Sequence, residues 1–200
     1  MRQCGESKYM QLVKDSTHSK SLKLGVYACV CASLCLPPGN AQQLQPYTSL
    51  KEIRERGVVM QQWEKSCAAA TLATVLTYGF RDPVTEHFVA AEMLDKSDVA
   101  KVRAQGGFSL LDMKRFVEGR GYQGRAYKNL SFNDLRAFRV PIVPINNYGY
   151  NHYVVFNGVQ GNDVLLADPA FGNRKMRMND FDEAWIDGMA FVVTGKDKDD

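Results

Sequence analysis

Ala68-Ala69-Ala70-Thr71-Leu72-Ala73-Thr74-Val75-Leu76 is a run of nine residues without a charge. Alanine is the best helix former and leucine stands close behind it. A helix with no polar face has to be buried on most sides, so this one belongs in the middle of whatever core the chain builds. Directly before it comes Gln61-Gln62-Trp63-Glu64-Lys65-Ser66, a polar segment that reads as extended, and then Cys67 at the point where the helix begins. The orphan N–H groups and partial positive charge of a helix N-terminus stabilise an anion. Thiols placed there are shifted toward the nucleophilic thiolate. The plain alternative is a small buried hydrophobe, a common state of free cysteine.

The rest of the cysteine inventory bears on that choice. Lys20 and Lys23 precede an apolar run over 24–36, which is followed by Pro37-Pro38-Gly39-Asn40-Ala41. A basic flank, an apolar stretch of this size, a helix-breaking pair and a small-x-small site are the parts of a secretory signal, with cleavage after Ala41. The run is short of the roughly 17–25 residues a spanning helix needs, so membrane contact is expected only through this signal. An uncleaved anchor and lipidation at Cys29 are the alternatives, and Val26-Tyr27-Ala28 makes a poor lipid-attachment site. Cys4, Cys29, Cys31 and Cys35 leave with the signal, so the mature chain keeps one thiol, Cys67, in an oxidising compartment, the periplasm. A lone cysteine cannot be a disulfide staple. With His87 and His152 it makes a poor zinc set, and no metal or other cofactor is expected.

The formal charge of +3 belongs to the same leader: five of the 25 Lys/Arg and two of the 22 Asp/Glu precede Gln42, which leaves twenty of each. Neutrality gives no reason to expect a nucleic-acid partner. The organisation read from the chain is an extension and signal over 1–41, a linker with a short helix over 42–57, one globular domain over 58–195 and a charged tail over 196–200.

Within the domain the first half is helical. A helix is expected from Cys67 to Tyr78 with Gly79 at its C-cap. A second is expected from Val84 to Leu94 with Phe88, Ala91 and Met93/Leu94 on its apolar face. A third opens at the capping box Ser109-Leu110-Leu111-Asp112 and ends at Gly119 or Gly121. Gln105 to Phe108 is a loop. Tyr122 to Tyr127 alternates like a strand, and Ser131 caps a short helix to Phe138. The second half is β-prone: Val140 to Asn146, whose prolines suggest an edge or strand end, then His152 to Val159, a turn at Gly161-Asn162, Val164 to Asp168, and Phe191 to Val193. Asn179 to Trp185 reads as a helix. Helices first and antiparallel strands second make an α+β domain.

In an antiparallel hairpin, a residue that opens one strand stands near the residue that closes the next. His152 and Asp168 should therefore share one end of their hairpin, with the carboxylate orienting the imidazole. A thiol at a helix start plus an oriented imidazole is the arrangement of nucleophilic acyl transfer. An oxyanion also needs donors: the Cys67 N–H is one, and the Gln61 amide is a second, with Gln62 its nearest competitor. His87, beside Glu86, reads as an exposed or partly packed helix residue.

Gln61 followed six positions on by Cys67-Ala-Ala-Ala, then Gly107-Phe-Ser-Leu-Leu-Asp112, Val140-Pro-Ile-Val143, His152-Tyr-Val-Val-Phe-Asn-Gly158 and Asp168-Pro-Ala-Phe-Gly172, resemble the C39 (bacteriocin-processing, double-glycine) peptidases. The resemblance runs in order from about Val58 to Val193. It implies a papain-like fold for 58–195, with Cys67 as nucleophile, His152 as base, Asp168 as its orienter and Gln61 as oxyanion donor. It also implies cleavage after Gly-Gly. Typical members are fused to ABC-transporter regions. No such region is present here, so ATP binding does not carry over. The chain is more similar to stand-alone, signal-bearing forms such as the peptidase-like component of Fap-type functional-amyloid secretion systems. The implied partner is an exported protein or leader peptide, with a secretion-system component as a further one. Gly commonly follows the family's Cys, and Ala68 is expected to narrow the cleft here. Two rivals stand beside proteolysis: a non-cleaving binding module of a secretion system, and acyl transfer to an amine.

Overall fold

A computed structural model describes residues 47–195; the signal read over 1–41 and the charged tail over 196–200 lie outside them. The domain combines helices with a six-stranded, wholly antiparallel sheet in the order β1-β6-β2-β3-β4-β5. In chain order it comprises α1 (Leu50–Glu55), α2 (Cys67–Thr74), α3 (Glu86–Asp95), α4 (Val99–Ala104), α5 (Leu110–Gly119), β1 (Gln123–Tyr127), α6 (Phe132–Ala137), β2 (Ile142–Asn147), β3 (Tyr150–Gln160), β4 (Asp163–Asp168), β5 (Gly172–Arg177), α7 (Met178–Ala184) and β6 (Ala190–Thr194). Among the described residues no helix is long and apolar enough to cross a membrane.

The uncharged run does what its composition requires. Every residue of α2 is buried, and Ala68, Ala69, Leu72 and Ala73 join Val89, Met93, Met113, Phe116, Ile142, Val155 and Phe191 in one apolar cluster. Alanine methyls let α3 and the sheet approach the α2 backbone closely, so the helix is fixed by packing on all sides. A second cluster on the other sheet face gathers Leu135, Val143, Ile145, Val154, Phe156, Leu166, Phe181 and Trp185.

Several elements depart from the sequence reading for identifiable reasons. The α2 helix does not run on as regular α-helix to Tyr78; Val75–Gly79 form a wider π turn, with Phe80 rather than Gly79 as the cap. Thr85 accepts from the Phe88 N–H and starts α3 at Glu86, later than Val84. Its buried face is Glu86, Val89, Ala90 and Met93, not Phe88, Ala91 and Leu94, because Glu86 is pulled inward by partners on the segment before α2. The short α4 went unread; Asp98 caps it through the N–H groups of Ala100 and Lys101. Both capping boxes, Ser109/Asp112 and Ser131/Asp134, form as expected.

Strand β2 is internal, not an edge. Pro141 stands just before its first residue, at the strand end, and Pro144 within it is tolerated because β6 pairs with β2 only at Ile142, while Trp185 adds one bridge at Ile145. Strand β5 also went unread, since Gly172-Asn-Arg-Lys-Met-Arg177 lacks β-branched residues. It is held by pairing with all of β4 and by α1, through Arg54 to the Phe171 carbonyl and Asn173 to the Arg56 carbonyl.

Candidate active site

The β3–β4 hairpin brings His152 and Asp168 together. Phe156 pairs with Leu166 and Val155 with Ala167, which carries the start of β3 past the end of β4. His152 Nε2 lies 2.8 Å from Asp168 Oδ1, with His152 only 4% and Asp168 0% exposed. The same carboxylate oxygen accepts the N–H groups of Ala170 (2.9 Å) and Phe171 (3.3 Å), because the Asp-Pro turn folds the chain back over it. The other oxygen, Oδ2, accepts Arg174 Nε at 2.8 Å from across the β4–β5 connection.

With Nε2 committed to Asp168, the second imidazole nitrogen, Nδ1, is left for Cys67, whose side chain helps hold the ring protonated. Burial pulls the imidazole down, but the bonds to Asp168 and Cys67 and the charges of both outweigh it and hold the ring up at about 9. Burial likewise pushes the Asp168 carboxyl up. The bond and charge of His152, the Ala170 N–H and the Arg174 guanidinium reverse that and leave it below its ordinary value. Cys67 is a free, buried thiol at the first residue of α2. Ser66 occupies the N-cap position without capping: its hydroxyl goes to the Trp63 carbonyl and to Glu86 instead. The first N–H groups of α2 therefore keep no side-chain cap beside the thiol.

The approach to Cys67 is a cleft of about 170 Å³ lined by Gln105, Gly106, Gly107, Phe108, Ser109, Asn151 and Tyr153. In its wall, Gly107 packs closely on the Lys65 backbone. Gly107 has φ +146°, and a Cβ there would meet the Lys65 carbonyl oxygen at 3.0 Å. The Tyr153 phenol is pushed up to about 12, first by burial and then by the charges of Cys67 and Asp112. A larger surface depression, about 720 Å³, lies at the β2–β3 turn, β5 and α7, and reaches this chemistry only through Arg174.

Gln61 is placed by its backbone. Its N–H donates to the Pro169 carbonyl at 2.8 Å, which ties the segment before the thiol to the loop after Asp168. Its side chain does not line the cleft. Nε2 donates to the Trp63 carbonyl at 3.3 Å, and Oε1 is buried without a partner. The competing Gln62 is turned away: it lines a depression with Val59, Met60, Thr77 and Val84, and its amide donates to the Met60 carbonyl. His87 is exposed, 5.5 Å from the Trp63 ring. Ala68 does not narrow the cleft. It is 0% exposed, its methyl lies in the apolar cluster under α2, and it is absent from the cleft lining.

Two supports went unread. Glu86 is buried, accepts the Gln62 N–H at 2.9 and 3.0 Å, and takes the Ser66 hydroxyl. Arg174 stands six residues beyond Asp168 in a strand with no hydrophobic pattern. A basic residue two positions past the first residue of a strand facing an acid was the available signal for the second. Nothing in local sequence pointed to the first.

An antiparallel sheet with a buried imidazole–carboxylate pair at one edge of a hairpin, facing a thiol at the start of a buried helix, defines a papain-like cysteine peptidase. The peptidase C39 family model matches residues 55–198, and the chain belongs to that family. It is 37% identical over 163 residues to the "Probable functional amyloid protease FapD" of Pseudomonas aeruginosa, covering 81% of this chain and 71% of that protein. Among solved structures it is similar to a double glycine motif protease from an AMS/PCAT transporter in complex with the leader peptide, at 26% identity, TM-score 0.56, 68% of this chain and 89% of that one. It also shares its fold with the peptidase domain of Streptococcus ComA, at 21% identity, TM-score 0.56, 68% of this chain and 96% of that one.

Proposed function

We propose that this cysteine peptidase is an endopeptidase that works in the periplasm with Cys67, His152, Asp168 and Gln61, and that it processes an exported protein or leader linked to secretion of amyloid or peptide substrates. The observation that carries the reading is the His152 Nε2–Asp168 contact of 2.8 Å in a buried setting, with the ring's other nitrogen left for Cys67. The functional-amyloid name of the relative and the leader peptide bound to the transporter protease supply the substrate class.

The chemistry follows from these positions. His152 Nδ1 takes the Cys67 thiol proton, the Sγ thiolate attacks the scissile carbonyl carbon, and the carbonyl π pair moves onto oxygen, where the Cys67 N–H and a Gln61 amide N–H receive it. Only one of the two Nε2 hydrogens can be spent on Trp63, and the Gln61 side chain, which stands outside the cleft lining, has to turn the other inward to reach that oxygen. The C–N bond then breaks, and the leaving amine takes a proton from His152 Nδ1, which leaves a thioester on Cys67. Water attacks the thioester, gives its proton to His152, and the acid product departs as the thiol and imidazole are restored. Asp168 holds the ring orientation throughout and stabilises the imidazolium. The small cleft beside Cys67, about 170 Å³, suits a substrate with little side-chain bulk at the scissile bond, in keeping with the Gly-Gly cleavage that the resemblance implies.

The test is mass spectrometry of candidate exported partners incubated with wild-type and Cys67→Ala protein. A new terminus that appears only with wild type is expected. If Cys67→Ser supports secretion as well as wild type does, a non-cleaving binding role replaces this one. His152→Ala should suppress alkylation of Cys67 near neutral pH, and undiminished alkylation would count against the ion pair.

A further inference from the structure

Asp168 is a wholly buried carboxylate whose two oxygens are loaded unequally. Oδ1 accepts His152 and two backbone N–H groups, while Oδ2 has Arg174 Nε as its side-chain donor. A buried carboxylate is tolerated only when its charge and lone pairs are matched. We propose that Arg174 is a positioning residue of the peptidase, a fourth member behind Cys67, His152 and Asp168 that keeps Asp168 ionised and rotationally fixed and so sets the acid limit of the site. This rests on the assignment of Cys67, His152 and Asp168 above.

The geometry supports a role specific to Asp168. Arg174 is 24% exposed and its guanidinium lies over the Phe171 ring, 5.7 Å from the centroid, beside the Asp-Pro turn. Its Nη2 is buried without any partner, so the side chain is not serving a wider ion-pair network. Without Nε on Oδ2, rotation of the carboxylate about its Cβ–Cγ bond is opposed only by the donors on Oδ1, and rotation takes Oδ1 off the imidazole. The charged and titratable groups around Asp168 are His152 from β3, Arg174 from β5 and, one step behind, Cys67 at the start of α2. From α1, Arg54 donates to the Phe171 carbonyl at 2.6 Å and not to the carboxylate. Among the described residues Arg174 is thus the one permanent cation in contact with Asp168; His152 is charged only while it holds its second proton.

The experiment is the pH dependence of Cys67 alkylation by iodoacetamide in wild type, Arg174→Met and Arg174→Lys, with thermal midpoints measured in parallel. An arginine beside an acid typically depresses it by about 1–3 units. The acid limb of the alkylation rate should therefore move up by roughly one unit or more in Arg174→Met. It should return most of the way in Arg174→Lys, which keeps the charge without the Nε geometry. A role confined to packing would lower the thermal midpoint and leave the limb where it was, and that result overturns the proposal. Should Arg174→Met fail to fold, Arg174→Gln carries the same comparison with Arg174→Lys. A wild-type profile no different from that of a simple thiol would instead sink the assignment of Cys67 and His152. A wild-type ion-pair plateau with an unmoved variant limb sinks the Arg174 inference alone.

Discussion

The two sides of the candidate site are held by different physics. Cys67 sits on α2, whose eight residues are all buried among alanine, leucine, valine and phenylalanine side chains. Apart from the Ser66–Glu86 anchor, no charge helps to place that helix. His152 and Asp168 sit at the end of a hairpin and are placed by a chain of polar contacts, from the imidazole through the carboxylate to Arg174 and the Ala170 N–H. Packing on the helical side is insensitive to pH and dominated by volume. Polar placement on the strand side is sensitive to pH and tolerant of modest changes in volume. Two polar links join the sides, the His152–Cys67 contact and the Gln61 N–H on the Pro169 carbonyl, and α2 also packs on Val155 and Ala167. Substitutions on one side should therefore leave the signature of the other unchanged.

The largest effect tests the polar side. Asp168→Asn keeps the size of the side chain but offers the ring a neutral amide, which favours the wrong imidazole tautomer. A loss on the order of 10⁴ in kcat is expected from that change, as for other hydrolases with an oriented histidine. Cleavage of a leader peptide would measure it, with the fold checked by circular dichroism. Next comes the helical side. Leu76 is 0% exposed in the cluster under α2, so Leu76→Ala should cost about 2–5 kcal/mol in a urea titration while the pH profile of Cys67 alkylation keeps its shape. A displaced profile would show that the two sides are not separable.

A third measurement sharpens the division through pH. The ordinary histidine value of 6.5 rises to about 9 in the fold. A raised value means that protonation favours the folded state. The stabilisation is fully present below pH 6.5 and is lost as the pH climbs through about 9. It amounts to at most about 3 kcal/mol. His152→Gln, which still offers Asp168 a donor, should flatten that decline between the two values in chemical denaturation. If the slope persists, it originates elsewhere in the chain.

Legibility followed the same line. The helical side was readable because a run such as Ala68–Leu76 leaves one option, a buried helix, and because Ser109/Asp112 and Ser131/Asp134 announce their own helix starts. The His152–Asp168 pairing was readable because a tight turn at Gly161-Asn162 fixes which strand ends meet. Strand β5 was not, since its pairing comes from β4 and its support from α1, neither of which leaves a mark on Gly172–Arg177. Glu86 carries no local mark of burial, and only the fold shows it inside, bonded to Gln62 and Ser66. The direction of the Gln61 and Gln62 side chains depends on how one extended segment is docked, which a sequence of alternating polar residues does not specify.

The smallest effect concerns the position where this chain departs from the family habit. Ala68 follows the thiol, and its methyl would obstruct a substrate only if it pointed into the cleft. It is instead 0% exposed within the apolar cluster, on the packed face of α2. Ala68→Gly therefore removes a buried methyl, worth about 0.8 kcal/mol, and adds a helix penalty of roughly 0.5–1 kcal/mol. The expected outcome is a stability loss of about 1.5 kcal/mol with kcat/KM for a leader peptide unchanged within about twofold. A rise in kcat/KM well beyond that, at equal fold content, would mean that the methyl does reach the substrate. The helical side would then contribute to specificity as well as to position.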